Sequence, residues 1–166
     1  MLRNFAAVEE MLRNSKAGKI GVVEAQDEHT LQAVARGVEK GLIEPTLIGK
    51  QNEIEMLWYK FTDKPVPRIV HTLNEQESLD AAMLAVNLGQ LDCVMKGKME
   101  TAAIMKAALN HDTGIRLEGS GGLSLVALME SPYYHKIFAI TDVGLMTYPD
   151  FDQKVTLIKN AVWVYN

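Results

Sequence analysis

The sequence is poor in several signals that would settle a function at once. It has a single cysteine, Cys93, so one copy can form no disulfide within itself, and this usage fits a reducing, cytoplasmic compartment. It has no long apolar run. The longest, Leu123 to Met129, is broken by Ser124 and falls well short of the ~20 residues that cross a bilayer. The opening residues reach Glu9 and Glu10 before any apolar stretch of signal-peptide type. There is no excess of positive charge: the formal net charge is −4, which removes the general electrostatic basis of nucleic-acid binding. His29, His71, His111 and His135 lie on separate stretches without metal-ligand spacing. Gly-x-Gly-x-x-Gly, Walker A and Gly-x-Ser-x-Gly patterns are absent.

What is present is ordinary for a globular protein. Apolar residues make up 48% and charged residues 23%, which excludes disorder, collagen and coiled coil as the whole answer. At 166 residues there is room for one domain and marginal room for two. The spacing predicts a first helix over Arg3–Asn14 and a strand over Lys19–Ala25. Asp27 then caps a helix with Leu31, Val34 and Val38 on one stripe, stopped at Gly41. A strand over Glu44–Gly49, a helix over Asn52–Phe61 and a strand over Arg68–Leu73 follow. Asn74 and Glu77 read as a capping box for a helix bearing Leu79, Ala82, Met83 and Val86, closed by Gly89. Leu91–Met95 reads as a strand and Thr101–Asn110 as a helix. Leu123–Met129 and Ile137–Ile140 read as buried strands, apolar on both faces. Asp150 and Gln153 cap a last helix carrying Val155, Ile158 and Val162. Helices between successive strands predict a three-layer αβα fold with a mostly parallel sheet. An eight-unit barrel would need about 250 residues and does not fit.

Three places can carry chemistry. Met95-Lys96-Gly97-Lys98-Met99-Glu100-Thr101 joins a strand to a helix, which is where an open parallel sheet keeps its ligands. Gly97 allows close backbone approach, Lys96 and Lys98 supply charge, and the helix start supplies free N–H groups. Gly119-Ser120-Gly121-Gly122-Leu123-Ser124 offers glycines before a strand and a hydroxyl donor. Thr141-Asp142 sits at a strand's carboxyl end, where the acid either orients a ligand or caps the following turn. Cys93 reads as a small buried hydrophobe in mid-strand. Trp58, Tyr59 and Phe61 read as either core or partner surface.

Taken together, these segments resemble the phosphate acetyl/butyryl transferase family, closest to the phosphate butyryltransferases and in its N-terminal half only. The resemblance runs from Lys19–Ala25 and Pro45–Gly49 through Met95-Lys96-Gly97 with Thr101. It continues through Leu123-Ser124, Thr141-Asp142, Pro149-Asp150 with Lys154, and Asn160-Ala161. It implies transfer of an acyl group between coenzyme A and inorganic phosphate. Coenzyme A would be a substrate, with no bound cofactor, no metal, and homo-oligomers, commonly dimers. Lys96, Gly97, Lys98 and Thr101 would hold phosphate and coenzyme A. Ser124 would donate to the phosphate or the oxyanion, and Asp142 would position a cationic or thiol partner. Two positions depart from the pattern: Leu125 stands where a histidine usually follows the serine, and Met146 where an asparagine is usual.

The resemblance also implies a chain about twice as long. The expectation is a single α/β domain over residues 1–166, or the N-terminal part of a two-domain acyltransferase, with one wall of a two-walled cleft and the last helix cut at Asn166. The alternative is a non-catalytic domain of the same type that binds a phosphorylated ligand or a partner subunit. A nucleotide-binding dehydrogenase-like reading rests on fold analogy alone.

Overall fold

A computed structural model describes residues 3–116 and 122–165. The elements are α1 (Phe5–Arg13), β1 (Gly18–Val23), α2 (Glu28–Glu39), β2 (Ile43–Gly49), α3 (Gln51–Trp58), β3 (Ile69–His71), α4 (Glu75–Asn87), β4 (Cys93–Lys96), α5 (Thr101–Ala108), β5 (Ala127–Met129), β6 (Phe138–Ile140) and α6 (Phe151–Tyr165). They fall into two compact units. One runs from Leu12 to Arg116; the other joins the residues up to Met11 with those after Arg116.

The Leu12–Arg116 unit is the predicted three-layer fold. Its four strands are parallel, in the order β3-β2-β1-β4. Strand side chains alternate between faces, and the core divides accordingly. Val22 and Leu47, paired in register, pack with Leu31, Val34, Ala35, Ile54 and Trp58 from α2 and α3. Their neighbours Val23 and Ile48, also paired, pack on the other face with Leu79, Ala82, Met83 and Ile104 from α4 and α5. Each large apolar side chain fully buried here contributes roughly 1.5–3 kcal/mol. Trp58 belongs wholly to this core, and its indole N–H donates to the Lys64 carbonyl at 2.9 Å. Tyr59 is exposed, so the aromatic patch divides between core and surface.

Local chemistry sets the helix boundaries. Asp27 accepts from the Thr30 N–H at 2.9 Å and the Thr30 hydroxyl at 2.8 Å at the start of α2. Asn74 accepts from the Glu77 N–H at 3.0 Å, and Glu77 reaches back to the Leu73 N–H at 2.9 Å. The loops after α2 and α4 turn through Gly41 and Gly89, at φ +71° and +67°. Cys93 corrects the sequence reading. It opens β4 and is exposed, because β4 is an edge strand of this sheet. Desolvation, then the charge of Asp92, pushes its thiol upward.

The second unit differs from expectation in detail. β5 and β6 are three-residue strands forming an antiparallel pair of their own, with Ala127 opposite Ile140 and Met129 opposite Phe138. They are not the buried strands expected, since Leu128, Met129 and Ile140 are exposed. A short apolar run does not distinguish a core strand from a hairpin. On α6, Leu157 is buried while Ile158 and Val162 of the expected stripe are exposed. The Asp150–Gln153 capping box is present, with reciprocal bonds of 2.8 Å each. Among the described residues, no helix is long and apolar enough to cross a membrane.

Candidate functional site

In the Leu12–Arg116 unit the chain steps from β1 outward to β2 and β3, then returns to the other side of β1 as β4. The carboxyl ends of β1 and β4 therefore bound a topological switch point. Val23 and Lys96 are partners at this end of the ladder. Beyond them the Gly97 N–H donates to the Val23 carbonyl at 2.7 Å and the Lys98 N–H to the Glu24 carbonyl at 3.3 Å. A Cβ at Gly97 would overlap the Glu24 carbonyl oxygen. The packing of one loop on the other thus requires this glycine. Glu24 leaves β1 at φ +54°, a left-handed conformation uncommon for a side-chain-bearing residue.

Lys96, Lys98 and Thr101 gather on the β4–α5 connection. Lys96 Nζ donates to the Met99 carbonyl at 3.1 Å, across its own loop, and both lysines are exposed. Thr101 begins α5, and Glu100 before it gives no side-chain cap, so the first N–H groups of α5 are free of side-chain capping. Lys98 also bears on Asp27. That carboxyl is held below its ordinary range by the N–H and hydroxyl of Thr30, against desolvation, with smaller help from His29 and Lys98.

Behind the switch point lies a polar cluster that the sequence reading missed. Ser78 is fully buried on α4 and donates to Glu24 Oε1 at 2.6 Å. Its oxygen lies 2.7 Å from the Thr72 hydroxyl, which must then donate to it. Gln26 Nε2 donates to Glu24 Oε2 at 2.7 Å, and Gln26 Oε1 accepts from the Lys50 N–H at 3.3 Å. The available signal was Ser78 itself, a polar residue beside Leu79 on a stripe that continues with Ala82 and Met83.

Ser124 and Asp142 lie in the other unit, where Asp142 meets the N–H of Leu125, the residue after Ser124. Asp142 Oδ1 accepts from the N–H of Leu125 at 3.2 Å, Gly144 at 3.4 Å and Leu145 at 3.3 Å. Its Oδ2 accepts from the Met146 N–H at 2.8 Å. Partial desolvation pulls this carboxyl upward, but the four backbone donors outweigh it and hold the group below its ordinary value. Asp142 therefore organises its own turn, one of the two roles left open by sequence. The departures Leu125 and Met146 both serve it through backbone N–H groups, which either residue type supplies. Ser124 Oγ accepts from Asn160 Nδ2 at 2.8 Å. A cleft of about 460 Å³ adjoins them, lined by residues 122–126 with Asn160, Trp163 and Val164. Next to Asp142, Thr141 Oγ1 is buried without a partner. Gly119, Ser120 and Gly121 of the glycine run lie outside the described residues. Among the described residues, no three His, Cys, Asp or Glu side chains converge as a metal cluster would.

The chain is 30% identical to the phosphate butyryltransferase of Clostridium acetobutylicum, over 99% of its own length and 54% of that relative. It is 33% identical to the phosphate acetyltransferase of Thermotoga maritima, over 95% of its own length and 52% of the relative. It thus spans about half the length of these curated relatives. Its fold is similar to that of a branched-chain phosphotransacylase from Enterococcus faecalis V583, with a TM-score of 0.70 at 24% identity, covering 89% of this chain and 50% of that one. The model of the phosphate acetyl/butaryl transferase family matches residues 57–165, which takes in the β4–α5 connection, Ser124, Asp142 and Asn160; the chain belongs to that family.

Proposed function

We propose that this protein supplies the phosphate-holding residues of an acyl transfer between coenzyme A and inorganic phosphate. The observation that carries the reading is the family match over residues 57–165, which encloses every candidate group proposed from sequence. In the proposed reaction a phosphate oxygen attacks the thioester carbonyl. The new C–O bond replaces the C–S bond, and a proton passes to the departing thiolate. The products are an acyl phosphate and free coenzyme A. The chemistry needs a held and desolvated phosphate and donors for the tetrahedral oxyanion. Lys96 and Lys98 supply charge, and the start of α5 at Thr101 supplies N–H donors, on a loop whose path depends on Gly97. Ser124 donates a hydrogen bond from its hydroxyl to the phosphate or the oxyanion. Asp142, held in place by its turn, positions a cationic or thiol partner. Coenzyme A enters as a substrate, no bound cofactor or metal takes part, the setting is cytoplasmic, and the working form is a homo-oligomer, a dimer being the simplest.

The test is thiol release from acetyl-, butyryl- and branched-chain acyl-CoA with and without phosphate. Release that needs phosphate, together with acyl phosphate formation, supports transfer. Release without phosphate dependence contradicts it. A second reading is favoured by the coverage of about half of each relative. It is a non-catalytic domain of the same family that binds a phosphorylated ligand or a partner subunit. Phosphate binding weakened by Lys96→Ala, without thiol release, selects that reading. In either case the described residues form a single α/β domain or one part of a two-domain acyltransferase.

A further inference from the structure

We propose that Asn160 is a positioning residue that fixes the Ser124 hydroxyl as a hydrogen-bond donor to a phosphate anion in the adjoining cleft, an inference that rests on the phosphate-holding role proposed above. A carboxamide has a donor end and an acceptor end. Asn160 Nδ2 lies 2.8 Å from Ser124 Oγ and 3.4 Å from the Gly122 carbonyl oxygen. The carbonyl oxygen can only accept. It therefore dictates which end of the carboxamide faces this pair, and the two hydrogens of Nδ2 go one to each neighbour. Ser124 Oγ must accept, so its own proton points away from Asn160. Among the described residues, none accepts that proton.

The free direction has a use. Ser124 and Asn160 both line the cleft of about 460 Å³, and Trp163 and Val164 join Asn160 at i+3 and i+4 on the same face of α6. A serine hydroxyl left alone rotates, and it can present a lone pair to an anion as easily as a proton. Asn160 occupies a lone pair and leaves the proton for the ligand. Ordering the hydroxyl before the anion arrives reduces the cost of binding. Gly122 contributes through its backbone. It sits at φ +126°, which suits glycine, and it provides the carbonyl that orients the carboxamide.

The test uses the full chain, inorganic phosphate titrated by calorimetry, and circular dichroism as the check on folding. Asn160→Leu removes the donor. Asn160→Asp keeps the shape and replaces the donor with an acceptor that competes for the Ser124 proton. Each, like Ser124→Ala, is expected to weaken phosphate binding about tenfold. Adding Asn160→Leu to Ser124→Ala is expected to cost nothing further, because the two residues act through one hydroxyl. In Asn160→Asp, binding relative to the unsubstituted chain is expected to recover as pH falls through the carboxyl range, since a protonated carboxyl can donate to Ser124. Asn160→Leu shows no such recovery. If the unsubstituted chain binds phosphate and the Asn160 variants bind it equally well, or if the double variant shows additive losses, the positioning role is overturned and the phosphate role stands. If the unsubstituted chain binds no phosphate, the phosphate role fails and the positioning role falls with it. Should Asn160→Leu not fold, the isosteric Asn160→Asp and Ser124→Ala carry the same comparison.

Discussion

The two units use apolar residues in different ways. Between Leu12 and Arg116, Val22, Leu31, Leu47, Ile54 and Trp58 are closed off from solvent by helices on one face, and Val23, Ile48 and Met83 by helices on the other. In the second unit the buried hydrophobics among the described residues are Ile137 and Leu157, while Tyr148, Phe151, Ile158 and Trp163 stay exposed. The first unit is therefore held by its core. The second holds its candidate residues through polar ties: four N–H groups on Asp142, and Asn160 on Ser124. It follows that large-to-small changes in the first unit act on folding, and changes at the polar ties of the second act on site geometry.

The sharpest way to break this comparison is in the first core. Trp58→Ala removes a fully buried indole and its bond to Lys64, with an expected loss of about 3–5 kcal/mol in chemical denaturation. A loss below about 1 kcal/mol there would mean that the core is not what holds this unit. Gly97→Ala places a Cβ against the Glu24 carbonyl oxygen. An expected cost of about 2–3 kcal/mol, with weaker phosphate binding, would show that the two switch-point loops need their close approach. Leu157→Ala in the second unit is expected to cost about 2 kcal/mol, the low end of its class, because the exposed Ile158 and Val162 leave room for the site to relax. Asn74→Ala, read by thermal melting, is expected to cost about 1 kcal/mol through loss of the α4 cap.

The smallest effect concerns pH. The Asp142 carboxyl is held below its ordinary value of 3.8. A depressed group stabilises the folded state above its unfolded value and loses that contribution as pH falls through the folded one. Asp142→Asn should therefore lower stability at neutral pH, and the difference from the unsubstituted chain should fade as pH drops below about 3.8. A difference that stays constant down to strong acid would show that the carboxylate charge does not hold this turn.

The Leu12–Arg116 unit was largely legible in the sequence. Apolar spacing placed its strands and helices, and Asp27, Asn74, Gly41 and Gly89 marked the boundaries through side chains that leave a local imprint. The β4–α5 connection was legible for the same reason, since strand, glycine, lysines and helix start are contiguous. The second unit was less so. The runs around Ala127–Met129 and Phe138–Ile140 are apolar, and apolarity alone does not say whether a strand enters a core or pairs in an exposed hairpin. The links that organise the candidate residues were also hidden. Ser124 meets Asn160 across a separation of 36 residues, and Ser78 meets Glu24 across 54. Such pairs arise from tertiary packing, and no local pattern announces them. For Asp142, residue type and position predicted a turn or a ligand; the four N–H distances show the turn, a tie that depends on backbone geometry.

The most direct measurement is phosphate-dependent thiol release from butyryl-CoA by the full chain, compared with Lys96→Ala and Ser124→Ala, which alter one candidate group in each unit. The proposed function predicts release that rises with phosphate and falls in both variants. Release that ignores phosphate, or that both substitutions leave unchanged, would contradict it.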